Sequence, residues 1–447
     1  MSVATLREIR LHSFKSYKDA ILPVDGITVL TGRNNAGKSN ALDGIEVLGR
    51  LASGEDLVDA LDGRRREGGP VRGGSQGCAP HGTNSFHLGC TVEESGDLFD
   101  LDVKVQVEPE LRIVWERLRG PAPAVSSGRV MKRDLLWSLN PLNADANIQA
   151  EVYNGKRGAN PTVAFRDSRL LTSQLPFRVN VKNKADSAVV RASEVVTSAL
   201  LASFHLDPVP HLMRSYVPSR DNDLRRTGEN ISAALLRLQT EDESTFSRVR
   251  ELVSSIGDDR IQGMEVTRSD LGDVMFALRE QPGEAHDKTP AREISDGILR
   301  FIAITTALLT SNRGLDIERT MGMSGDSIRA GVLLVIEELE NGLHPSQANN
   351  VLSLIKEVYV EFSTKVMLTT HSPALLNAMT GDLNKSIIVC YRDFEQGNSH
   401  LSRLTDLPGY AEAIASGRLG DAVSRGELVR PGERQHDFSE FDRLLGI

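Results

Sequence analysis

GRNNAGKS at residues 32–39 sets the fold. It follows ITVL at 27–30, a short unbroken apolar run of the kind that forms a strand buried on both faces. It opens onto Ala41, Leu42, Ile45 and Leu48, whose spacing predicts a helix. Strand, glycine-rich turn and helix in that order give G-x-x-x-x-G-K-[ST] the context of a phosphate loop. Glycines allow main-chain N–H groups to curl around phosphate oxygens, and the helix start adds its positive end. A triphosphate would therefore lie against Gly32, Arg33, Asn34, Asn35, Ala36, Gly37, Lys38, Ser39 and Asn40. Lys38 would neutralise its β and γ phosphates, and the Ser39 hydroxyl would take Mg²⁺. A turn that binds nothing is the bland alternative, and the flanking strand and helix argue against it.

Working outward, three more segments carry polar groups at the edge of apolar runs. VLLVIEELENGLHP at 332–345 ends a buried-strand pattern in Glu337 and Glu338. Ligands of open α/β sheets bind at that carboxyl edge, and carboxylates there are costly unless a metal or water uses them. Glu337 is assigned to Mg²⁺, and Glu338 to the water that attacks the γ-phosphate. KVMLTTHSP at 365–373 ends a second apolar strand in His371, which could sense that phosphate. EISDGILRF at 293–301 puts Ser295, Asp296 and Gly297 at the start of an apolar helix. Alone this is a helix cap; with the other three it becomes an anion-binding helix start.

Composition bounds the alternatives. With 447 residues, 52 basic and 61 acidic side chains, the chain carries a formal charge of −9. The length suggests two or three domains with an ample core. A 40% hydrophobic and 25% charged balance excludes a mostly disordered or collagen-like chain. No apolar run approaches the roughly 18–20 residues of a membrane helix. The opening MSVATLREIRLHSFKSY lacks the apolar stretch of a secretory signal. Three cysteines (Cys78, Cys90 and Cys390) cannot all pair, which points to a reducing, cytoplasmic setting. The acidity argues against bulk wrapping of DNA and leaves room for a local basic groove.

Patterning divides the remainder. Residues 1–30 and 85–118 read as strands, 63–84 as a Gly- and Arg-rich loop, and 120–185 as irregular with short strands such as PTVAF. Residues 186–256 read as helices, with ISAALLRLQ and STFSRVRELVSSI among them. Beyond 261, strands and helices alternate, which indicates an α/β sheet with a parallel core. The expected organisation is an N-terminal ATPase lobe with the phosphate loop and an antiparallel β subdomain at 1–180. A helical insertion lobe follows at 181–260, then a C-terminal ATPase lobe at 261–405 and a peripheral tail at 406–447.

The four segments, in this order, resemble the ATP-binding-cassette heads of the RecF and structural-maintenance-of-chromosomes class. More closely they resemble RecF-like ATPases related to the overcoming-lysogenization-defect nucleases. The matching residues are HSFKSYKDA, SDGILR at 295–300, EELENGLHP and His371-Ser372-Pro373, together with FHLDPVPHLMRSY and DNDLRRTGENISAALLRL within 204–238. The resemblance implies a P-loop NTPase with a mixed sheet core and an AAA-type Mg²⁺-dependent ATPase; the related nucleases add a TOPRIM domain, which is not expected here because the 76 residues after His371 lack an acidic nuclease cluster. It implies a homodimer, or a higher assembly of heads, in which Ser295 and Gly297 contact the γ-phosphate bound by the other copy. His344 falls at the D-loop position. Glu337 stands where an Asp is usual, and Leu339 where a Pro is usual. The glutamine that contacts Mg²⁺ in such heads is assigned to Gln174, with Gln76 as second choice. The implied role is a switch or sensor in bacterial anti-phage defence, with a separate effector or nuclease partner. RecF-type DNA repair and a nucleotide-binding scaffold with little hydrolysis are the alternatives.

Two patterns are set aside as decoys. Cys78, His81, His87 and Cys90 have a zinc-like spacing, but strand alternation turns His87 away from Cys90. Arg64, Arg65 and Arg66, and Arg214, Arg220, Arg225 and Arg226, could form basic patches for DNA; solvated loop arginines are the commoner case.

Overall fold

The structure is a computed structural model that describes residues 3–63, 69–123, 128–139, 147–255, 261–280, 288–317, 328–341, 348–393, 396–415 and 419–429. His344 and Arg64, Arg65 and Arg66 lie outside the described residues.

The chain is a mixed α/β fold built on two large sheets. The six-stranded sheet runs in the order Ser203–Leu206, Leu333–Ile336, Lys365–Thr369, Ile27–Thr31, Ile387–Arg392, Ser399–Arg403. Its first five strands are parallel and the last is antiparallel. Ile27–Thr31, Leu333–Ile336 and Lys365–Thr369 are buried at every residue. That is why each reads as an unbroken apolar run: helices cover both faces of a parallel sheet.

The second sheet has nine strands and is antiparallel apart from one short edge pairing, between Val3–Phe14 and Arg329–Ala330. Strand Ser85–Glu94 puts Phe86, Leu88, Cys90 and Val92 into the core, so its one-sided burial gives the alternating pattern. Here the reading of 120–185 as irregular is corrected. The sheet continues through Val130–Ser138, Asn147–Val152 and Thr162–Arg166. Val130–Ser138 buries only Leu135, Leu136 and Ser138, too few to print a period of two.

The helices of 181–260 do not form a core of their own. Helix Lys184–Leu201 is capped by Asn183, whose side chain accepts from the N–H groups of Ala185 and Asp186. It packs on strands Val3–Phe14 and Arg112–Pro123 and on helix Lys38–Ala52. Helices Ile231–Glu241 and Glu243–Ser254 instead pack near strands Ile261–Arg268 and Asp273–Glu280 and, for the second, helix Asp296–Leu309. The insertion is split between the two cores, with strand Ser203–Leu206 joining the parallel sheet between its halves.

The return from that strand is pinned by Asn230, which is fully buried. Its Nδ2 donates to the carbonyls of Asp221 and Asp223 at 3.0 and 2.6 Å, and its Oδ1 accepts from Arg225 N at 3.0 Å. Asn230→Ala should destabilise the protein by about 2–3 kcal/mol, because three main-chain groups lose their shared partner at once. Urea unfolding measures this as a lower midpoint at unchanged slope.

Candidate nucleotide-binding site

Strands Leu333–Ile336, Lys365–Thr369 and Ile27–Thr31 are neighbours and parallel, so the residues after them meet at one edge. Glu337, His371 and Gly32 therefore converge, although they are far apart in the chain. This is the edge where open α/β sheets bind ligands.

The phosphate loop has backbone that requires glycine at two positions. Gly32 has φ 140°, and a Cβ there would stand 2.1 Å from the Cys390 carbonyl oxygen. Gly37 has φ 115°, and a Cβ there would stand 2.5 Å from Ser399 Oγ. Tyr17, buried beneath the loop, donates to Gly37 O at 3.0 Å. Lys38 is buried and curls back on its own loop, donating to Gly32 O at 3.0 Å and Arg33 O at 3.2 Å. Burial holds its pKa below the usual lysine range, opposed by the charges of Glu338 and Glu340.

Ser39 Oγ donates to Glu337 Oε2 at 3.4 Å, so the two residues expected at Mg²⁺ are adjacent. Burial raises the Glu337 pKa, and the neighbouring carboxylates Asp43 and Asp207 add to this, while Arg72 and Arg226 oppose it. A half-buried carboxylate beside a hydroxyl and facing a phosphate loop fits Mg²⁺, which takes few protein ligands and completes its shell with phosphate oxygens and water.

Glu338 is exposed at the end of its strand in a left-handed conformation, φ 48°. Its N–H donates to Thr369 Oγ1 at 2.8 Å, and Leu339 N donates to Thr369 O at 3.1 Å. Asn341 donates to its carboxylate. Left-handed backbone at a non-glycine residue is uncommon and clusters at functional sites. Glu340 accepts from the His371 main-chain N–H, tying the Glu337–Glu340 turn to the next strand. The His371 imidazole pKa is lowered by burial and by Lys38, so the ring is neutral at pH 7.

Ser295 caps helix Asp296–Leu309, its side chain accepting from Ile298 N at 3.4 Å. Arg214 Nη2 donates to Ile294 O at 2.7 Å and Asp296 Oδ1 at 2.6 Å, fixing this helix start. Ser295 and Asp296 are exposed and Gly297 is half-buried. Their hydrogen bonds and ion pairs do not run to the chain's own phosphate loop.

Gln174 is not brought to the site. Its Oε1 accepts from Arg166 N at 3.1 Å, and its Nε2 donates to the carbonyls of Arg166, Arg169 and Leu170. The amide is thereby committed to main chain around helix Leu171–Arg178. Gln76 donates to Glu108 at 3.3 Å. What stands beside Glu337 instead is Asp207, directly after strand Ser203–Leu206, the neighbour of Leu333–Ile336. Its signal in the sequence was FHLD, a short apolar alternation ended by a carboxylate. Arg72 and Asp43 also join the site, and sequence reading missed both.

Three of the four arginines at 214–226 are engaged within the chain: Arg214 pairs with Asp296 at 2.6 Å, Arg225 with Asp221 at 3.3 Å and Arg226 with Glu46 at 2.7 Å, while Arg220 is exposed. The zinc-like set does not converge. Cys78 Sγ donates to Gly74 O at 3.4 Å, and His87 packs against Trp115 and His12. Among the described residues no group of three or more His, Cys, Asp or Glu is arranged to hold a metal on its own. A Ser39–Glu337 site would depend on the nucleotide for its remaining ligands.

Residues 27–377 match the family described as "AAA domain, putative AbiEii toxin, Type IV TA system". The chain belongs to this family. The matched span runs from the strand before the phosphate loop to the helix after His371, so it contains the whole site. This AAA-family chain is an ATPase. It is 21% identical over 394 residues to a Helicobacter pylori protein named ATP/GTP phosphatase, covering 84% of this chain and 87% of that one. Among solved structures it is similar to an SmcHead bound to the C-winged helix domain of ScpA, at 13% identity and a TM-score of 0.47, covering 89% of this chain and 97% of that one. It is also similar to the SMC head domain from Thermotoga maritima, at 13% identity and a TM-score of 0.38, covering 89% and 98%. No helix among the described residues is long and apolar enough to cross a membrane.

Proposed function

We propose that two copies of this ATPase pair head to tail around bound ATP, and that the pairing is the output of a molecular switch. One copy supplies the phosphate loop, Glu337, Glu338 and His371; the other supplies Ser295, Asp296 and Gly297. The observation that carries this reading is the exposed start of helix Asp296–Leu309, held by Arg214 and, among the described residues, making no hydrogen bond or ion pair to the chain's own phosphate loop. A 14-residue helix directs main-chain N–H groups outward at that end, a ready partner for a terminal phosphate presented by another copy.

Within one site each side chain has a separate task. Lys38 exchanges its two carbonyl partners for phosphate oxygens. Ser39 and Glu337 would hold Mg²⁺, which when bound supplies charge neutralisation across the β and γ phosphates. Glu338 accepts a proton from the attacking water, and neutral His371 donates a hydrogen bond toward the γ-phosphate. Hydrolysis removes the shared phosphate, and with it the contact between copies.

The setting we infer is bacterial defence or toxin–antitoxin regulation, with the toxic or nucleolytic step carried by a separate polypeptide. The family's own description, which names a type IV toxin–antitoxin system, supports the setting. RecF-like and overcoming-lysogenization-defect-like ATPases offer a functional analogy, on the motif order alone.

Light scattering tests the pairing. Glu338→Gln with saturating Mg-ATP should run at twice the mass of the nucleotide-free protein. Adding Ser295→Arg should return it to the lower mass while ATP still binds. Equal masses with and without ATP in the Glu338→Gln protein would sink the proposal.

A further inference from the structure

We propose that Arg72 is a resident counter-ion of the metal site, holding Glu337 until a divalent cation arrives with its nucleotide and displaces it. The proposal rests on the reading of Ser39 and Glu337 as the metal pair, and goes beyond it by assigning how metal entry is controlled.

Arg72 lies in the Gly-rich loop between helices Leu57–Asp62 and Gln76–Cys78. Its Nη2 stands 3.3 Å from Glu337 Oε1 and 3.4 Å from Asp43 Oδ1. Glu337 offers its other oxygen, Oε2, to Ser39. Asp43 follows Ser39 by four residues on helix Lys38–Ala52, so both project from one helix face, and Asp43 is only 2% exposed. A guanidinium thus bridges two acids at the point where the metal pair sits.

The main chain of residues 72–78 is tied down, whereas the Arg72 guanidinium is exposed. Lys15 Nζ donates to Arg72 O at 2.6 Å and pairs with Asp43 Oδ2 at 2.8 Å. Lys15 N donates to Cys78 O at 2.9 Å, and Ser75 N to Asp62 Oδ1 at 2.7 Å. The Arg72 side chain, by contrast, is 53% exposed, so it has room to swing into solvent once another charge takes its place.

The charges around Glu337 explain why such a device is needed. Glu337, Asp43 and Asp207 face Arg72, Arg226 and Lys15 across this small volume. Arg226 is committed to Glu46, and Lys15 to Asp43. Without Arg72 the acids would be under-compensated and would attract a divalent cation in the absence of nucleotide. With Arg72 present, a free cation must first displace a guanidinium, whereas a cation already carried on a triphosphate brings both its own ligands and the phosphate charge that receives Arg72. The loop therefore favours loading the two together.

The test is Mn²⁺ binding to the nucleotide-free full-length protein, followed by the paramagnetic resonance signal of free Mn²⁺. Arg72→Ala should bind Mn²⁺ about tenfold more tightly than the unaltered protein, and Arg72→Lys should fall between them. Combining Arg72→Ala with Glu337→Gln should abolish the gain. Equal Mn²⁺ affinity in the unaltered and Arg72→Ala proteins overturns the proposal, as does a gain that survives Glu337→Gln. The underlying metal-pair reading fails separately, if Glu337→Gln alone leaves binding of Mn²⁺ with a non-hydrolysable ATP analogue unchanged.

Discussion

Glu338→Gln should lower kcat for ATP hydrolysis by about a thousandfold, within the range expected for loss of a general base, with KM changed less than severalfold. The amide keeps the size and hydrogen-bonding reach of the carboxylate, so the turn stitched to Thr369 is retained. What it loses is the capacity to accept a proton. Because Glu338 is exposed and Lys38 supplies the phosphate contact, ground-state binding does not depend on it. A drop in kcat and kcat/KM together, with binding preserved, identifies an interaction made only in the transition state. Stopped turnover measurements alongside nucleotide binding by fluorescence separate the two. Turnover within threefold of the unaltered protein would remove Glu338 from the chemistry and favour a nucleotide-binding scaffold.

Which parts of this site were legible follows from how far each signal reaches along the chain. The phosphate loop is local: one strand, one turn and one helix carry it, so GRNNAGKS was sufficient. Glu337, Glu338 and His371 were legible for a related reason, since each ends a strand buried on both faces and such strands print as unbroken apolar runs. Gln174 was misjudged because choosing a glutamine requires knowing which strand lies next to Leu333–Ile336. The sheet order puts Ser203–Leu206 there, and so Asp207 at the site. Arg72 could not be read at all. It sits in a loop with no hydrophobic period, and its partner Glu337 is 265 residues away. The split of 181–260 between two cores was hidden likewise: Lys184–Leu201 and Ile231–Glu241 are both amphipathic, and amphipathicity states that a face is buried without naming what buries it.

Lys38→Ala should weaken ATP binding by about a hundredfold and reduce hydrolysis by more than that. Charge-assisted hydrogen bonds of this kind contribute about 1.5–3 kcal/mol each to binding. The starting state matters to the size of the effect. Lys38 is buried, with its ammonium bonded to Gly32 O and Arg33 O, so the cation is already desolvated and aimed along the loop. Exchange of those carbonyls for phosphate oxygens costs little reorganisation, which is why its loss should be felt almost in full. Deleting the side chain also leaves two loop carbonyls without their donor, so the nucleotide-free protein should lose a little stability as well. Thermal unfolding distinguishes these contributions. With ATP at about a hundred times Kd, the unaltered protein should gain about 2.7 kcal/mol from linkage. The Lys38→Ala protein at the same concentration should gain less than 1 kcal/mol, because ATP then stands near its Kd. Should both proteins gain equally, the phosphate loop is not where the triphosphate binds, and the assignments of Ser39, Glu337 and Glu338 fall with it.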